Sequence, residues 1–271
     1  MNWWEAAILG VVQGLTEFLP ISSSGHLVLG QHLLGIEAGG DDVVFEVFVH
    51  FGTVLSIMTV YRRPVAKMIV SAIKAIKKPL EFADHYRDDE SFRTAMLILV
   101  TMVPSGIVYF LFRESLEAAF GSPLLVCFML LVTGILLLLT VLRKNPSGDL
   151  NAGKAFLVGV AQSAAMIPGI SRSGATICAA LYQNVEPERA ANFSFLMLLP
   201  VVLGATLIKS LDLAAAEIGT GWLPIIVGTV AAYASGVAAI KMLLRVIRLG
   251  RLQYFAYYCF LVGIVGILLL W

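Results

Sequence analysis

The sequence predicts an all-α polytopic membrane protein, with six transmembrane helices and two re-entrant helical hairpins in an inverted repeat. Three observations predict this class: the composition, the number of long apolar segments, and two interrupted segments that resemble each other. The 271 residues are 59% hydrophobic and only 14% charged, with a mean hydropathy of +0.87. Because a soluble domain of this length cannot bury so much apolar surface, lipid must solvate much of the chain.

Six segments are long and apolar enough to span a bilayer, since about 20 apolar residues cross roughly 30 Å of hydrocarbon. They are Val43–Tyr61, Arg93–Phe112, Leu124–Leu142, Ala190–Ile208, Leu223–Leu244 and Tyr254–Trp271. The chain is therefore interpreted as one integral membrane domain, 1–271. The N-terminus lacks the basic residues and the cleavage site of a signal peptide, which predicts that the first segment stays in the mature protein.

Two further apolar segments are each interrupted by a polar turn. Trp3–Leu34 is interrupted at residues 18–26, and Ala152–Tyr182 at residues 167–176. Each segment predicts a short helix, a turn, and a second short helix that returns to the same side. The alternative is that Gly, Ser and Pro only kink two ordinary helices.

The distribution of basic residues supports two re-entrant segments. With this topology, sixteen of the nineteen Lys and Arg residues fall on one side of the membrane. The positive-inside rule makes that side cytoplasmic and places both termini outside. Four lysines on the cytoplasmic side are interpreted as part of a solvated loop in contact with anionic headgroups: Lys67, Lys74, Lys77 and Lys78.

The two interrupted segments align with each other without a gap. Gly10-Val-Val-Gln13 meets Gly159-Val-Ala-Gln162, and Ile21-Ser-Ser-Ser-Gly25 meets Ile170-Ser-Arg-Ser-Gly174. The alignment predicts pseudo-repeats over residues 1–142 and 152–271. Each repeat holds one hairpin and three spans, and an odd number of crossings inverts the second copy. Broken helices of inverted repeats typically meet near the bilayer midplane and form a binding site there.

The first turn concentrates polar side chains that predict chemistry. Gln13 and Glu17 lie four residues apart on one helix face, and a carboxylate within a membrane is costly and usually functional. Ser23 and His26 lie three residues apart, close enough for the imidazole to accept the serine proton if the turn closes suitably. A helix cap or backbone partner is the alternative role for a serine in such a turn.

The second turn predicts a phosphate site at the start of a helix. Helix N-terminal amides, hydroxyl groups and a guanidinium together bind phosphate well. Arg172 is the one basic residue not assigned to a loop, and arginine at bilayer depth typically holds an anion. An ion pair with Glu17 or Glu46 is the alternative for Arg172. His50 lies one helical turn after Glu46, and both are interpreted as supporting residues.

The motifs Gln13–His26 and Pro168–Thr176 resemble the two signatures of the undecaprenyl pyrophosphate phosphatase family, the bacitracin resistance proteins. The resemblance extends to Phe45-Glu46, His50–Thr53 and Phe193–Phe195, and so covers essentially the whole chain. It implies a membrane hydrolase that converts undecaprenyl pyrophosphate to undecaprenyl phosphate and inorganic phosphate. This reaction recycles the lipid carrier of peptidoglycan synthesis and confers bacitracin resistance. The resemblance also implies a bacterial inner-membrane location, with the active site open to the outer face.

The physical argument and the resemblance together assign roles in the site. Ser23 is the preferred nucleophile, His26 the base or proton shuttle, and Glu17 the group that orients His26 or holds a metal. Alternatively, His26 itself attacks or activates water. Arg172 binds phosphate, together with Ser22, Ser24, Gly25, Ser171, Ser173, Gly174 and Thr176. Gln13, Glu46 and His50 are supporting residues; Gln13 stands where other family members carry glutamate, and Asn192 where an acidic residue often stands.

The expected cofactor is a divalent cation, Mg²⁺ or Ca²⁺, carried by the substrate pyrophosphate, because one firm carboxylate is few for a dedicated cage. The expected partners are undecaprenyl pyrophosphate and membrane lipid, and not nucleic acid; a homodimer is left open. A transporter or flippase of an anionic prenyl lipid is the rival function, because inverted repeats with broken helices are above all a transporter architecture.

Overall fold

The structure, a computed structural model, describes residues 1–34, 40–143, 146–204 and 221–270, and these ranges are helical without β-strands. The helices are α1 Trp3–Phe18, α2 Ser23–Leu34, α3 Gly40–Val60, α4 Arg62–Lys77, α5 Phe82–Asp88, α6 Glu90–Ala119, α7 Pro123–Leu139, α8 Ala152–Ala164, α9 Arg172–Tyr182, α10 Pro187–Leu196, α11 Trp222–Arg248 and α12 Gln253–Leu270. Short 3₁₀ helices cover Pro79–Glu81 and Thr140–Leu142, and residues 198–204 are also helical. The predicted all-α class is confirmed.

Four helices in the described ranges are long and apolar enough to cross a membrane: α6, α7 with its 3₁₀ extension, α11 and α12. The bent pair of α3 and α4 brings the candidates to five at most. Four predicted spans coincide with those four helices, although Trp271 lies outside the described residues. The backbone of α6 is non-helical at Phe112, the residue at which its predicted span ends.

The predicted span Ala190–Ile208 is not one continuous helix. Helix α10 ends at Leu196, Met197 is in a turn, and helix resumes over residues 198–204. Pro200 explains the break, because it has no N–H to donate to the Leu196 carbonyl and its ring clashes with that group. The remainder of this predicted span, residues 205–208, lies outside the described residues.

Both interrupted segments break where the sequence predicts. Helix α1 ends at Phe18 and α2 begins at Ser23, whereas α8 ends at Ala164 and α9 begins at Arg172. Helix α1 packs along α11, and α8 packs along α6. The first helix of each interrupted segment therefore packs on a long helix from the other half of the chain. Helices α7 and α12 pack together and also join the halves.

Glycine permits the close approach in both of these pairs. A Cβ at Gly10 would lie 2.2 Å from the carbonyl oxygen of Gly228, and one at Gly159 would lie 2.5 Å from that of Thr101. Gly10 and Gly159 are equivalent residues in the alignment of the two segments. The same position thus brings helix backbones together in each half, as small residues commonly do in membrane proteins.

Candidate active site

Ser22 forms the first turn and starts helix α2. Its φ is 69°, in the left-handed region that residues with a Cβ seldom adopt. The Ser22 Oγ accepts a hydrogen bond from the Gly25 N–H at 3.2 Å and lies 3.3 Å from the Ser24 Oγ. Ser22 is therefore a helix cap, the alternative role expected for a serine here.

Ser171 caps helix α9 with the same set of contacts. Its Oγ accepts from the Gly174 N–H at 3.2 Å and lies 3.2 Å from the Ser173 Oγ, but its φ is −69°. Thr133 of α7 fixes this turn from behind. The Thr133 hydroxyl accepts from the Ser171 N–H at 3.0 Å and donates to the Gly169 carbonyl oxygen at 2.9 Å.

The two turns touch each other. The Ser173 Oγ donates to the carbonyl oxygen of Leu19 at 3.2 Å. A Cβ at Gly25 would lie 3.2 Å from the Cα of Gly169, so the backbones of the two turns are in van der Waals contact there. Residues that are far apart in the sequence are thus held close together where the two turns meet.

Glu17 links the two turns. Its side chain is only 8% exposed, and its two oxygens bind different partners. Oε1 accepts from the Arg172 guanidinium at 2.9 Å, and Oε2 accepts from the Ser23 Oγ at 2.9 Å. Ser23 and Arg172 are equivalent positions in the aligned turns. The ion pair that the sequence left open for Arg172 is therefore made with Glu17.

Gln13 connects Glu17 to His50. The Gln13 amide nitrogen lies 3.1 Å from Glu17 Oε2 and 3.2 Å from His50 Nε2. The other ring nitrogen of His50, Nδ1, lies 2.8 Å from the Glu46 carbonyl oxygen, which can only accept. This network assigns the proton to Nδ1 and leaves Nε2 as the acceptor from Gln13. The Gln13 amide thus bridges the Glu17 carboxylate and the His50 imidazole.

His26 is not paired with Ser23, in contrast to the expected serine–histidine contact. Its Nδ1 lies 2.7 Å from the Ser22 carbonyl oxygen, and its Nε2 lies 2.7 Å from the Tyr258 hydroxyl. The two rings also stack, with centroids 5.6 Å apart. The reason is helical geometry: Ser22 caps α2, so the residue four positions later turns back onto its carbonyl, whereas the Ser23 hydroxyl turns to Glu17.

A cavity of about 410 Å³ opens beside Glu17, Ser23 and Arg172. Its lining also includes residues that sequence reasoning did not select, at the end of α6: Tyr109, Arg113 and Glu117. Arg113 forms an ion pair with Glu117 at 2.7 Å and lies over the Tyr109 ring. The available signal was that Arg113 is one of only two basic residues assigned to the outer side.

The predicted phosphate contacts divide into two groups. Ser22, Ser24 and Ser171 line the cavity together with Arg172. Gly25 and Gly174 instead donate their N–H groups to the capping serines, and Ser173 makes the contact between the turns. The Thr176 hydroxyl is not placed to make the predicted phosphate contact. It is buried, it donates to the Arg172 carbonyl oxygen at 2.8 Å, and it lies 2.6 Å from the Ser194 Oγ.

Comparison with known proteins identifies the family. The family model described as Bacitracin resistance protein BacA matches residues 6–265. The chain belongs to this family. It is 60% identical over 246 residues to the undecaprenyl-diphosphatase of Salinibacter ruber, which covers 91% of each protein. It is 43% identical over 254 residues to the undecaprenyl-diphosphatase of Halothermothrix orenii, covering 91% of this chain and 90% of the relative. The resemblance of the two turns to this family is therefore confirmed.

Around Glu17 the described residues offer a single carboxylate, fewer oxygen ligands than a cation site built from the protein alone would have. Mg²⁺ and Ca²⁺ require about six or more oxygen ligands. Both Glu17 oxygens already accept hydrogen bonds, and the neighbouring position is an amide, Gln13, which presents its N–H groups to Glu17. Within the described ranges, no group of three His, Cys, Asp or Glu side chains is placed to hold a metal ion.

Proposed function

We propose that the chain hydrolyses undecaprenyl pyrophosphate to undecaprenyl phosphate and inorganic phosphate in the bacterial inner membrane. One observation carries this proposal: a serine hydroxyl and an arginine share a buried glutamate at the wall of a polar cavity. Family membership agrees with it. The arrangement supplies a nucleophile, a proton acceptor and a cation, which phosphoryl transfer requires.

Arg172 binds the pyrophosphate. A guanidinium has five N–H donors, so one contact with Glu17 leaves others for phosphate oxygens. Its side chain is 17% exposed and lines the cavity. Arg113 lines the same cavity from the α6 side, paired with Glu117. Charge on the transferred phosphoryl group is thereby stabilised by groups already in place, the largest contribution available to such an enzyme.

Ser23 attacks the terminal phosphorus. As the new Oγ–P bond forms, the bond to the bridging oxygen breaks and undecaprenyl phosphate leaves. The serine proton passes to Glu17, which already accepts it at 2.9 Å. Water then attacks the phosphorus of the phosphoserine, and the Oγ–P bond breaks. One water proton restores the serine hydroxyl, the water oxygen leaves in inorganic phosphate, and Glu17 releases its proton to solvent. Glu17 takes the role first assigned to His26, and His26 becomes a positioning residue for the Ser22 turn.

The prenyl chain lies in an apolar cavity on the other side of His26. This cavity has a volume of about 500 Å³ and is lined by α2 and α12, including Leu29, Leu261 and Leu269. His26 lines it, while the Ser22 to which His26 is bonded lines the polar cavity. A lipid with a charged head and an apolar tail matches this adjacency.

The proposed architecture is an inverted repeat of 1–142 and 152–271, with six spans and two re-entrant hairpins. Its support is the equal capping of the two turns, the reciprocal packing of α1 on α11 and α8 on α6, and the equivalent glycines. The basic side is cytoplasmic by the positive-inside rule. The cavity is lined by Arg113, which is assigned to the opposite side, so the active site opens to the outer face.

Any divalent cation enters with the substrate. The pyrophosphate supplies several oxygen ligands, whereas the protein offers one carboxylate that is already engaged. We therefore expect the Mg²⁺ or Ca²⁺ concentration needed for activity to change with the substrate concentration. A fixed site in the protein would instead require the same cation concentration at each substrate concentration. A chelator titration at two substrate concentrations measures this.

Phosphate release from undecaprenyl pyrophosphate by purified protein in detergent tests the function. We expect Ser23→Ala to lower the rate by about 1,000-fold or more, as for loss of a nucleophile. Glu17→Gln should cause a loss of similar size, and the double variant should lose little more, because the two residues act together. Ser235→Ala is the control, since among the described residues its hydroxyl bonds within its own helix, at Ala231 and Ala232.

The same assay distinguishes the rival function. Lipid translocation in vesicles without phosphate release would establish a transporter and contradict the hydrolase. Release that is undiminished in Ser23→Ala but lost in His26→Ala would instead assign the attack to His26 or to water activated by it.

A further inference from the structure

Helix α4 makes a sharp bend away from the helix before it. Helices α3 and α4 meet at 86°, with a break of one residue at Tyr61. If α3 is directed along the membrane normal, α4 lies nearly parallel to the membrane surface. Lys67, Lys74 and Lys77 are therefore on a helix and Lys78 lies at its C-terminal end, whereas the sequence was interpreted as a solvated loop here.

One face of α4 is attached to the protein. Ser71 and Ala75 are buried, and α4 packs against α6. The Ser71 side chain also bonds to Asp89, the residue that caps α6. These contacts fix the rotation of α4 about its axis, so the directions of its other faces are determined.

A second face of α4 is apolar and uncovered. Ile69, Ile73 and Ile76 are spaced to form one stripe, and they are 54%, 47% and 77% exposed. The chain that follows continues this surface with exposed Leu80 and Phe82. Contiguous exposed apolar residues outside a span mark a surface that meets lipid or another apolar partner.

The third face of α4 is basic and lies beside the apolar stripe. Arg63, Lys67 and Lys74 share this face, and Lys77 stands at the boundary between the two faces. The helix is thus arranged as an interfacial helix, with isoleucines directed to acyl chains and cations at headgroup level. The cations favour anionic headgroups, each by a factor of roughly five when close to the surface.

We propose that α4 and the following residues to Phe82 form an interfacial helix that binds anionic phospholipid at the membrane surface. The apolar stripe enters the acyl region, and the basic face collects phosphatidylglycerol-type headgroups around it. This site is separate from the polar cavity at Glu17 and does not depend on the hydrolase proposal.

Fluorescence quenching of the full-length protein in nanodiscs tests the proposal. A fluorophore is attached at Ile73→Cys, and an Asp88→Cys label serves as the aqueous control because Asp88 is exposed in α5. The three native cysteines, Cys127, Cys178 and Cys259, are buried and should label slowly. The nanodiscs contain brominated phosphatidylglycerol or brominated phosphatidylcholine at equal mole fraction.

We expect the Ile73→Cys label to be quenched by brominated lipid and protected from aqueous iodide, and the Asp88→Cys label to show the reverse. Quenching should be about twofold or more stronger with brominated phosphatidylglycerol, owing to local enrichment. Lys67→Gln, Lys74→Gln and Lys77→Gln together should remove that difference. Salt at about 0.5 M should reduce it, because it strongly screens charges at the membrane surface.

A charge-matched triple variant is the control. Arg87→Gln, Lys154→Gln and Arg251→Gln remove three cations from other surfaces and should leave the difference intact. Equal quenching by the two lipids would overturn the proposal. So would a label open to iodide, or one shielded from both quenchers, which would indicate a second protein copy on this face.

Discussion

The two turns at the site, residues 18–26 and 167–176, have the same cap hydrogen bonds, different backbone conformations at the capping serine, and different proposed chemical roles. In both, a serine Oγ accepts from a glycine N–H at 3.2 Å and contacts the serine two residues later. Between those serines the first turn carries Ser23 and the second carries Arg172. Both side chains reach Glu17, one at each carboxylate oxygen.

This difference shows how a repeat produces a reactive site. The shared serines and glycines build two equal supports, which alone would present equal groups. A single divergent position in each support then provides a hydroxyl from one side and a cation from the other. Glu17 has no counterpart, because the aligned residue is Met166. The groups that we propose to react are thus the residues at which the two halves differ.

Making the second turn identical to the first is the strongest test. Arg172→Ser keeps the Ser171 cap, removes the cation and leaves Glu17 Oε1 without its guanidinium partner. We expect phosphate release to fall by about 1,000-fold or more, as when a transition-state cation is lost. Arg172→Lys should recover part of the activity, because it keeps the charge but loses the planar donor group. Helicity by circular dichroism checks folding; a fully active Arg172→Ser would disprove the assigned role.

The two equivalent glutamines provide the next test. Gln13→Glu places a second carboxylate beside Glu17, so one of them must take a proton or a cation. We expect a loss of about 10-fold or more in phosphate release at low Mg²⁺ and partial rescue at high Mg²⁺. Gln162→Glu is the matched control, because Gln162 is the aligned glutamine and is buried with its amide donating to Ser105. It should lower stability without creating cation dependence.

The equivalent glycines test whether the halves pack alike. Gly10→Ala and Gly159→Ala each force a Cβ onto a carbonyl oxygen of the facing helix. We expect each to destabilise the fold by about 1–3 kcal/mol, the usual cost of overpacking. Thermal unfolding in detergent measures both, and Gly30→Ala is the control because its Cβ would meet open space. A loss in only one variant would contradict equivalent packing.

The smallest expected effect concerns the helix starts in the two halves. Helix α6 is capped by Asp89, whose carboxylate accepts from the Ser91 and Phe92 N–H groups, whereas the N-cap of α11 is Gly221, which has no side chain to cap it. The hydrogen bond from Ser71, and then those from the α6 backbone, hold the pKa of Asp89 below its ordinary value of 3.8. Asp89→Ala should cost about 1 kcal/mol, the typical value of a cap.

The pH dependence follows from the direction of that shift. Because the folded-state pKa is lowered, the stabilisation is fully present above pH 3.8 and disappears as the pH falls through the folded value. Unfolding measured between about pH 5 and pH 2 should show this loss in the wild type and a smaller one in Asp89→Asn. Equal acid sensitivity in both proteins would show that Asp89 does not cause the loss of stability at low pH.

The sequence by itself determined the apolar class, the breaks in both interrupted segments and the equivalence of the two turns. It also selected Glu17, Ser23 and Arg172, because polar groups that are costly in lipid stand out in an apolar chain. Periodicity and composition are local properties, so residues close in the sequence could be assigned to helix or turn without knowledge of their partners.

Only the tertiary structure decided which of those polar groups meet. Ser23 and His26 are only three positions apart, yet the cap at Ser22 directs them to Glu17 and Tyr258 respectively. Arg113 reaches the same cavity from α6, and α4 is a helix rather than a loop. The physical reason is that the direction of a side chain depends on the packing of its whole helix, and that packing is set by contacts with residues far away in the chain.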